Sequence, residues 1–288
     1  MHDHDETLEE ARRRNVRDAL FEDIGQADWT ALLVGQKQRV RARVIVREDA
    51  VLCGRDWFEA CLHALDPQAV VNWHVDEGAR MGTGTAVCDI EGLARALLSG
   101  ERAALNFLQL LSSTATRTRL HVDAIAGASP NPRGCAILDT RKTMPGLRQA
   151  QKYAVRVGGG RNQRLALWHG ILIKENHIAA AGGIGAVLQR AAALESGVDI
   201  QIEVETLSQL HEALEQGALS VMLDNFTLEG MVAAVRLNAG RAELEVSGGV
   251  QIDQLRSIAA TGVDRISIGS LTKDVRAVDF SMRVIERR

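Results

Sequence analysis

Between Thr140 and Lys174 the chain carries eight basic residues and no acidic one: Arg141, Lys142, Arg148, Lys152, Arg156, Arg161, Arg164 and Lys174. The 288-residue protein as a whole has a formal net charge of -3, so this run is a local attraction for anions. Arg148, Lys152 and Arg156 recur at i, i+4, i+8, which is the spacing of one solvated helix face. Arg141, Lys142 and Lys174 instead follow short apolar runs, at positions where a cation can meet a ligand. Arginine grips a planar carboxylate through two parallel N–H bonds, and lysine meets phosphate as a point charge. Gly158-Gly-Gly160 before Arg161-Asn-Gln-Arg164 places backbone N–H groups beside guanidinium forks. A glycine run alone marks turns as often as phosphate loops.

Glu203 and Asp224 close two later apolar runs. Hard oxygen ligands there suit Mg2+, whose other positions would go to water and diphosphate oxygens; ion pairing with Lys142 or Lys174 is the alternative, and the two are compatible. Ser247-Gly-Gly249 and Ile268-Gly-Ser270 end two consecutive late runs, where backbone amides can hold a phosphate. Cationic clamps combined with two carboxylates fit a ligand that has several anionic groups plus a metal. They do not fit nucleic acid, because inward carboxylates repel a phosphate backbone.

The elements that position these residues fall into two blocks. The first third reads as a mixed α/β unit. It has an amphipathic helix near Leu8 to Phe21 and the alternating strand Arg39-Val-Arg-Ala-Arg-Val-Ile-Val46, then short β-type runs at Val51 to Cys53, Val70 to Val75 and Ala86 to Ile90. A long helical stretch from about Leu93 to Ala126 follows and ends in Gly127-Ala-Ser-Pro-Asn-Pro-Arg-Gly134. From Cys135 apolar strands alternate with helices, which calls for parallel pairing with the helices outside. The polar residues Arg141 and Lys142, Lys174, Glu203 and Glu205, Asp224 and Asn225, Glu245 and Ser247, and Ser267 with Ser270 all fall at or near strand C-termini. A barrel gathers such ends around one mouth where a ligand can satisfy them, whereas an open sheet would spread them along an edge.

In order along the chain, Glu22-Asp-Ile-Gly25, Leu98-Ser-Gly-Glu-Arg-Ala-Ala-Leu-Asn106, Leu138-Asp-Thr-Arg-Lys-Thr-Met-Pro-Gly-Leu-Arg148, Lys152-Tyr-Ala-Val-Arg-Val-Gly-Gly-Gly160, Leu172-Ile-Lys-Glu-Asn-His177, Ile202-Glu-Val-Glu205, Leu223-Asp-Asn225, Val246-Ser-Gly-Gly249 and Ile268-Gly-Ser-Leu-Thr-Lys-Asp-Val-Arg276 resemble the successive signatures of bacterial quinolinate phosphoribosyltransferases. The resemblance covers nearly the whole chain. It implies an N-terminal α/β sandwich domain, residues 1–118, plus an incomplete α/β barrel of the type II phosphoribosyltransferase kind, residues 119–276, with the tail 277–288 packing back on the first domain. It implies transfer of a phosphoribosyl group from phosphoribosyl pyrophosphate to quinolinate with decarboxylation, Mg2+ as cofactor, and a homodimer or higher homo-oligomer.

By the same matching, Arg102 would reach a neighbouring subunit's site, and Arg141, Gln163, Arg164 and Lys174 would contact quinolinate. Thr140, Lys142, Glu203, Asp224, Ser247, Gly248, Gly249, Gly269, Ser270 and Leu271 would hold phosphoribosyl pyrophosphate, with Lys142, Lys174, Glu203 and Asp224 catalytic and Glu203 and Asp224 facing the metal. Many members carry histidine where Gln163 stands, and glutamine cannot become cationic. Two other functions stay open on the same scaffold: a phosphoribosyltransferase with another acceptor, and a non-catalytic anion-binding protein.

Composition narrows the setting. The start MHDHDETLEE has no basic-then-apolar layout, and no apolar run reaches the ~20 residues that cross a bilayer, so the expectation is a cytoplasmic protein without a membrane partner. Cys53, Cys61, Cys88 and Cys135 lie scattered in apolar segments and read as buried thiols. His2 and His4 with Asp3 and Asp5 read as a polar terminus in preference to a metal site.

Overall fold

The alternation in Arg39–Val46 places Val40, Ala42, Val44 and Val46 on one face and the arginines on the other, and in the computed structural model that strand, β1, is the centre of an antiparallel sheet. The structure describes residues 6–287, so the His2 to Asp5 cluster lies outside the described residues. The chain divides into two units, each built on its own sheet.

The first unit opens with α1 (Leu8–Ile24), whose start is fixed by reciprocal bonds between Thr7 and Glu10. After β1 (Arg39–Val46) come β2 (Ala50–Val51), α2 (Arg55–Leu65), β3 (Val70–Trp73), β4 (Arg80–Met81), β5 (Ala86–Leu93) and α3 (Ala94–Ile125), with α3 belonging to this unit as far as Arg119. β1 pairs with β5, and β5 with β3, all antiparallel. One face of this sheet buries Val40, Val44 and Ile90 with Trp57, Phe58, Leu105 and Leu108.

On β5, Asp89 is buried and accepts from Arg43 Nε at 2.7 Å and Arg41 Nη2 at 2.7 Å. The Arg43 guanidinium, with Arg41, holds the Asp89 carboxyl well below the usual carboxylate range. A depressed folded-state value stabilises the fold fully above the unfolded carboxylate pKa of about 3.9, and that contribution is lost progressively as pH falls from there through the folded value. Both arginines are partly solvated, so Asp89→Asn is expected to cost about 1–2 kcal/mol at pH 7. In thermal melts the gap between parent and variant should narrow as pH falls from 5 toward 2; a constant gap would contradict this account.

The second unit holds six parallel strands in the order β6-β11-β10-β9-β8-β7. They are β6 (Ala136–Leu138), β7 (Ile171–Ile173), β8 (Ile200–Val204), β9 (Ser220–Asp224), β10 (Glu243–Ser247) and β11 (Arg265–Ser267). Between β6 and β7 the chain order contains α4 (Arg148–Val157), and after β7 come α5 (Glu175–Ala181), α6 (Ile184–Ala193), α7 (Leu207–Glu215), α8 (Leu228–Asn238) and α9 (Leu255–Ala260). Strands β8, β9 and β10 are buried along most of their length, as expected of parallel strands covered on both faces. β6 and β7 are the two ends of the sheet, so the barrel is open between them. A segment after Gly160 lies beside β6 there: the Arg161 N–H donates to Ile137 O at 2.8 Å.

Several sequence expectations need correction. Residues 143–159 and 271–276, read as part of the barrel, belong to the first unit, as does the rest of the chain to its C-terminus. Asn15 Nδ2 donates to Gly146 O at 3.0 Å and Gln151 Nε2 to Thr272 O at 2.7 Å within that unit, which also contains α4. After α10 (Ser270–Lys273), the tail forms β12 (Phe280–Arg287), antiparallel to β1. Lys152 is not on a solvated face: it is 1% exposed, on the side of α4 that buries Ala150, Gln151, Ala154 and Val155. Gly158 follows α4 with ordinary backbone angles, and a Cβ there would stand 2.5 Å from Ala115 O and 2.6 Å from Thr118 Cβ. It is a close-packing glycine against α3. The four cysteines are free thiols, and burial pushes Cys61 and Cys135 up to about 12.

Candidate active site

At the C-terminal ends of the parallel strands each apolar run hands over to a polar residue. β7 ends at Ile173, and Lys174 takes the N-cap position of α5, in extended backbone. Its Nζ donates to Glu203 Oε2 at 2.8 Å, from β8 next door. Lys174 is half-exposed and Glu203 mostly covered, so the pair holds orientation more than it adds stability. Asp224 ends β9; burial pushes its carboxyl up, Glu203 adds to the push, and Lys174 and Lys142 oppose it. Glu203, Lys174 and Lys142 thus all bear electrostatically on Asp224.

Asn225 has a left-handed backbone, φ 56°, which asparagine tolerates, and its N–H donates to Ser247 O at 3.2 Å. Its amide donates to Asp224 Oδ2 at 2.9 Å. Gly248, φ +100°, is the only residue type that fits the adjoining turn, because a Cβ there would lie 2.2 Å from Asn225 Oδ1. The Lys142 side chain lies on Gly269, with Cδ 3.0 Å and Nζ 3.8 Å from where a Cβ would stand. The Thr140 hydroxyl accepts from the Lys142 N–H at 3.1 Å. Thr140, Lys142 and Gly269 thus share one corner, and Ser270 and Leu271, the latter buried, follow Gly269 in the chain.

Arg141 and Arg164 form the second cationic group. Burial lowers the Arg164 guanidinium, and the charge of Arg141 lowers it further. Two like charges in mutual range favour an anion beside them. Arg164 Nη1 donates to Gly170 O at 2.9 Å. The loop itself is pinned by Asp139, fully buried, which accepts from Asn162 Nδ2 at 2.6 Å and from the Gln163 N–H at 2.9 Å.

Gln163 and Arg164 also line a cavity of about 590 Å3 whose other walls include Ile171, Ile200, Ser220, Glu243 and Arg265, residues at the beginnings of strands. Lys174, Glu203 and Asp224 are not on its wall. Arg102 is exposed on α3 in the first unit.

Glu245 departs from its expected place. It is mid-strand in β10, fully buried, with its carboxylate on Arg265 Nε at 2.8 Å, so it belongs to the barrel interior and not to the mouth. Asp139, Gln201 and Arg265 were not singled out as functional from the sequence. Their only signal is a polar side chain inside a short apolar run.

Among the described residues no group of three or more His, Cys, Asp or Glu side chains is placed to hold a metal, and no helix is long and apolar enough to cross a membrane. The two carboxylates Glu203 and Asp224 still fit a cation that takes most of its ligands from water and substrate, because burial and the neighbouring Glu203 already disfavour the charged form of Asp224.

Comparison with known proteins shows the family. The family model for the quinolinate phosphoribosyl transferase C-terminal domain matches residues 114–283, and that for the N-terminal domain matches residues 28–112. The chain is 38% identical over 265 residues to the probable nicotinate-nucleotide pyrophosphorylase (carboxylating) of Bacillus subtilis, covering 92% of this chain and 90% of that one. It is 37% identical over 283 residues to the nicotinate-nucleotide pyrophosphorylase (carboxylating) of Mycobacterium leprae, covering 95% and 97%. The solved nicotinate-nucleotide pyrophosphorylase of Francisella tularensis superposes with a TM-score of 0.91 at 40% identity, over 97% of each chain. With both domain models matched in order and these relatives aligned over nearly their full length, the chain belongs to the quinolinate phosphoribosyltransferase family.

Proposed function

We propose that this protein is a cytoplasmic enzyme that transfers the 5-phosphoribosyl group of phosphoribosyl pyrophosphate to quinolinate with decarboxylation, giving nicotinate mononucleotide, diphosphate and CO2. The observation that carries this reading is the pairing of two cationic groups in one unit: Arg141 with Arg164, suited to a dicarboxylate, and Lys142 beside Gly269, next to the carboxylates Glu203 and Asp224. The names of the relatives support the same reaction.

In this reading Arg141, Gln163, Arg164 and Lys174 serve the pyridine dicarboxylate. Thr140 and Lys142 face the diphosphate, and the amides of Ser247, Gly248, Gly249, Gly269, Ser270 and Leu271 take the 5-phosphate. Glu203 and Asp224 face the ribose and would hold Mg2+ through water, which supplies charge neutralisation for the leaving diphosphate. The pyridine nitrogen attacks the anomeric carbon as diphosphate departs, so the protein contributes positioning and electrostatic stabilisation. Loss of CO2 from the 2-carboxylate then leaves a carbanion next to the ring's positive nitrogen, which takes a proton. The assembly is a homodimer or larger, with Arg102 completing a neighbour's site; its exposure on α3 supports that reading.

The test supplies purified protein with phosphoribosyl pyrophosphate, Mg2+ and either quinolinate or nicotinate. Nicotinate mononucleotide and CO2 are expected from quinolinate, with no product from nicotinate. Product from nicotinate alone would assign another acceptor, and binding without turnover would leave an anion-binding protein.

A further inference from the structure

A continuous line of side-chain bonds crosses the interior of the second unit. Gln163 Nε2 donates to Gln201 Oε1 at 2.8 Å, and Gln201 Nε2 donates to Glu245 Oε2 at 2.9 Å. Glu245 Oε2 lies in ion-pair range of Arg265 Nε at 2.8 Å without hydrogen-bond geometry, and the Arg265 guanidinium is itself held by Glu243 and by Ser220 Oγ at 2.9 Å. Gln201 and Glu245 are 5% and 0% exposed.

The polarity of this line is locked at both ends. The Arg164 N–H donates to Gln163 Oε1, so the Gln163 amide must turn its Nε2 toward Gln201. At the other end the carboxylate of Glu245, beside Arg265, can only accept, so Gln201 must offer it Nε2 and keep Oε1 for Gln163. Neither amide can flip without setting two like groups against each other. The line also reaches the place where the barrel lacks a backbone ladder. β6 and β7 are unpaired with each other, and the Arg161 to Arg164 segment crosses the gap, held from one side by Asp139. The bonds from β8 and β10 hold it from the other.

We infer that Gln201 and Glu245 are positioning residues for the acceptor end of the site, acting through Gln163 to set the backbone and hence the guanidinium of Arg164. The inference rests on the reading that Arg164 grips quinolinate. It gives Gln163 an orienting part as well, since its amide nitrogen donates to Gln201 and its amide oxygen accepts from the Arg164 N–H. Displacing a gripping group by about 1 Å is enough to lose most of its contribution, while groups at the strand mouths would be unaffected.

Gln201→Met keeps the side-chain volume and removes both bonds. Its KM for quinolinate is expected to rise about tenfold, which corresponds to roughly 1.4 kcal/mol, the scale of a hydrogen-bonded link. Its KM for phosphoribosyl pyrophosphate is expected to stay within about twofold. Glu245→Gln retains an acceptor for Gln201 and should keep the quinolinate KM near the parent value. Hydrogen exchange in the parent gives a readout free of variants and substrates, in which the Arg164 amide should be protected.

An unprotected Arg164 amide, an unchanged quinolinate KM in folded Gln201→Met, or equal rises in both KM values would each overturn the inference. A parent that makes nothing from quinolinate would bring down the functional reading and this inference with it, which separates the two failures.

Discussion

Arg141→Ala enzyme is expected to form nicotinate mononucleotide from quinolinate with kcat/KM lowered about a thousandfold, while its affinity for phosphoribosyl pyrophosphate changes by no more than a few-fold. Arg141 directly follows Thr140, whose hydroxyl accepts from the Lys142 N–H, so its backbone position is tied to the phosphate corner. Its charge bears on Arg164, the other guanidinium of the acceptor group. Truncating one partner of a desolvated, charge-assisted contact costs about 2–5 kcal/mol, and a thousandfold loss is about 4 kcal/mol. Part of the loss should appear in kcat, since an acceptor that is held loosely presents its ring nitrogen poorly to the anomeric carbon. Steady-state kinetics with each substrate varied separately gives both numbers. Retention of activity within tenfold of the parent would remove Arg141 from the acceptor site. An equal loss of affinity for phosphoribosyl pyrophosphate would place it at the diphosphate instead.

Gly158→Val is expected to destabilise the protein by about 3 kcal/mol or more, without any ligand being involved. The backbone at Gly158 is helical, so the cost has no conformational part. It is steric: the first carbon of any side chain meets the Ala115 carbonyl at 2.5 Å and Thr118 Cβ at 2.6 Å, and both residues are fully buried on α3. A main-chain carbonyl within a long helix cannot rotate aside, so α4 and α3 must separate. Overpacking of this kind ordinarily costs about 1–3 kcal/mol, and here both obstacles belong to helix backbone or a β-branched side chain. For a protein of this size the loss should lower the melting temperature by roughly 5–10 °C. Gly35→Ala is the matching control, because a Cβ there touches only the Gln38 side chain at 3.7 Å. A melting temperature for Gly158→Val equal to that of the control would show that α4 has room the structure does not display.

Gly158 also marks where reading from sequence reaches its limit. The run Gly158-Gly-Gly160 looks like a loop built for anions, and its arginine-bearing continuation does line a cavity through Gln163 and Arg164. Its first glycine is there because two helices touch, which no local pattern encodes. The strand-end residues were legible for a physical reason. Parallel strands impose short apolar runs, a buried strand end admits Lys174, Glu203 or Asp224 only if a partner or ligand meets it, and six such ends in series imply one mouth. The barrel and its mixed α/β companion were therefore legible in the chain of residues.

Only tertiary structure decided which elements share a unit. The apolar stripe of α4 shows that it must be covered but does not say by what, and it is covered within the first unit, where Lys152 is buried as well. β12 likewise carries no sign that β1 is its partner. Glu245 could be read only as a polar residue near a strand end; its inward direction follows from the register of β10 against β9 and β11. The same holds for Gln201, Arg265 and Asp139, whose roles come from partners between 20 and 45 positions away. Periodicity reports which face of an element avoids water, and that property is local. The identity of the group that meets a buried polar atom is a property of the packed chain.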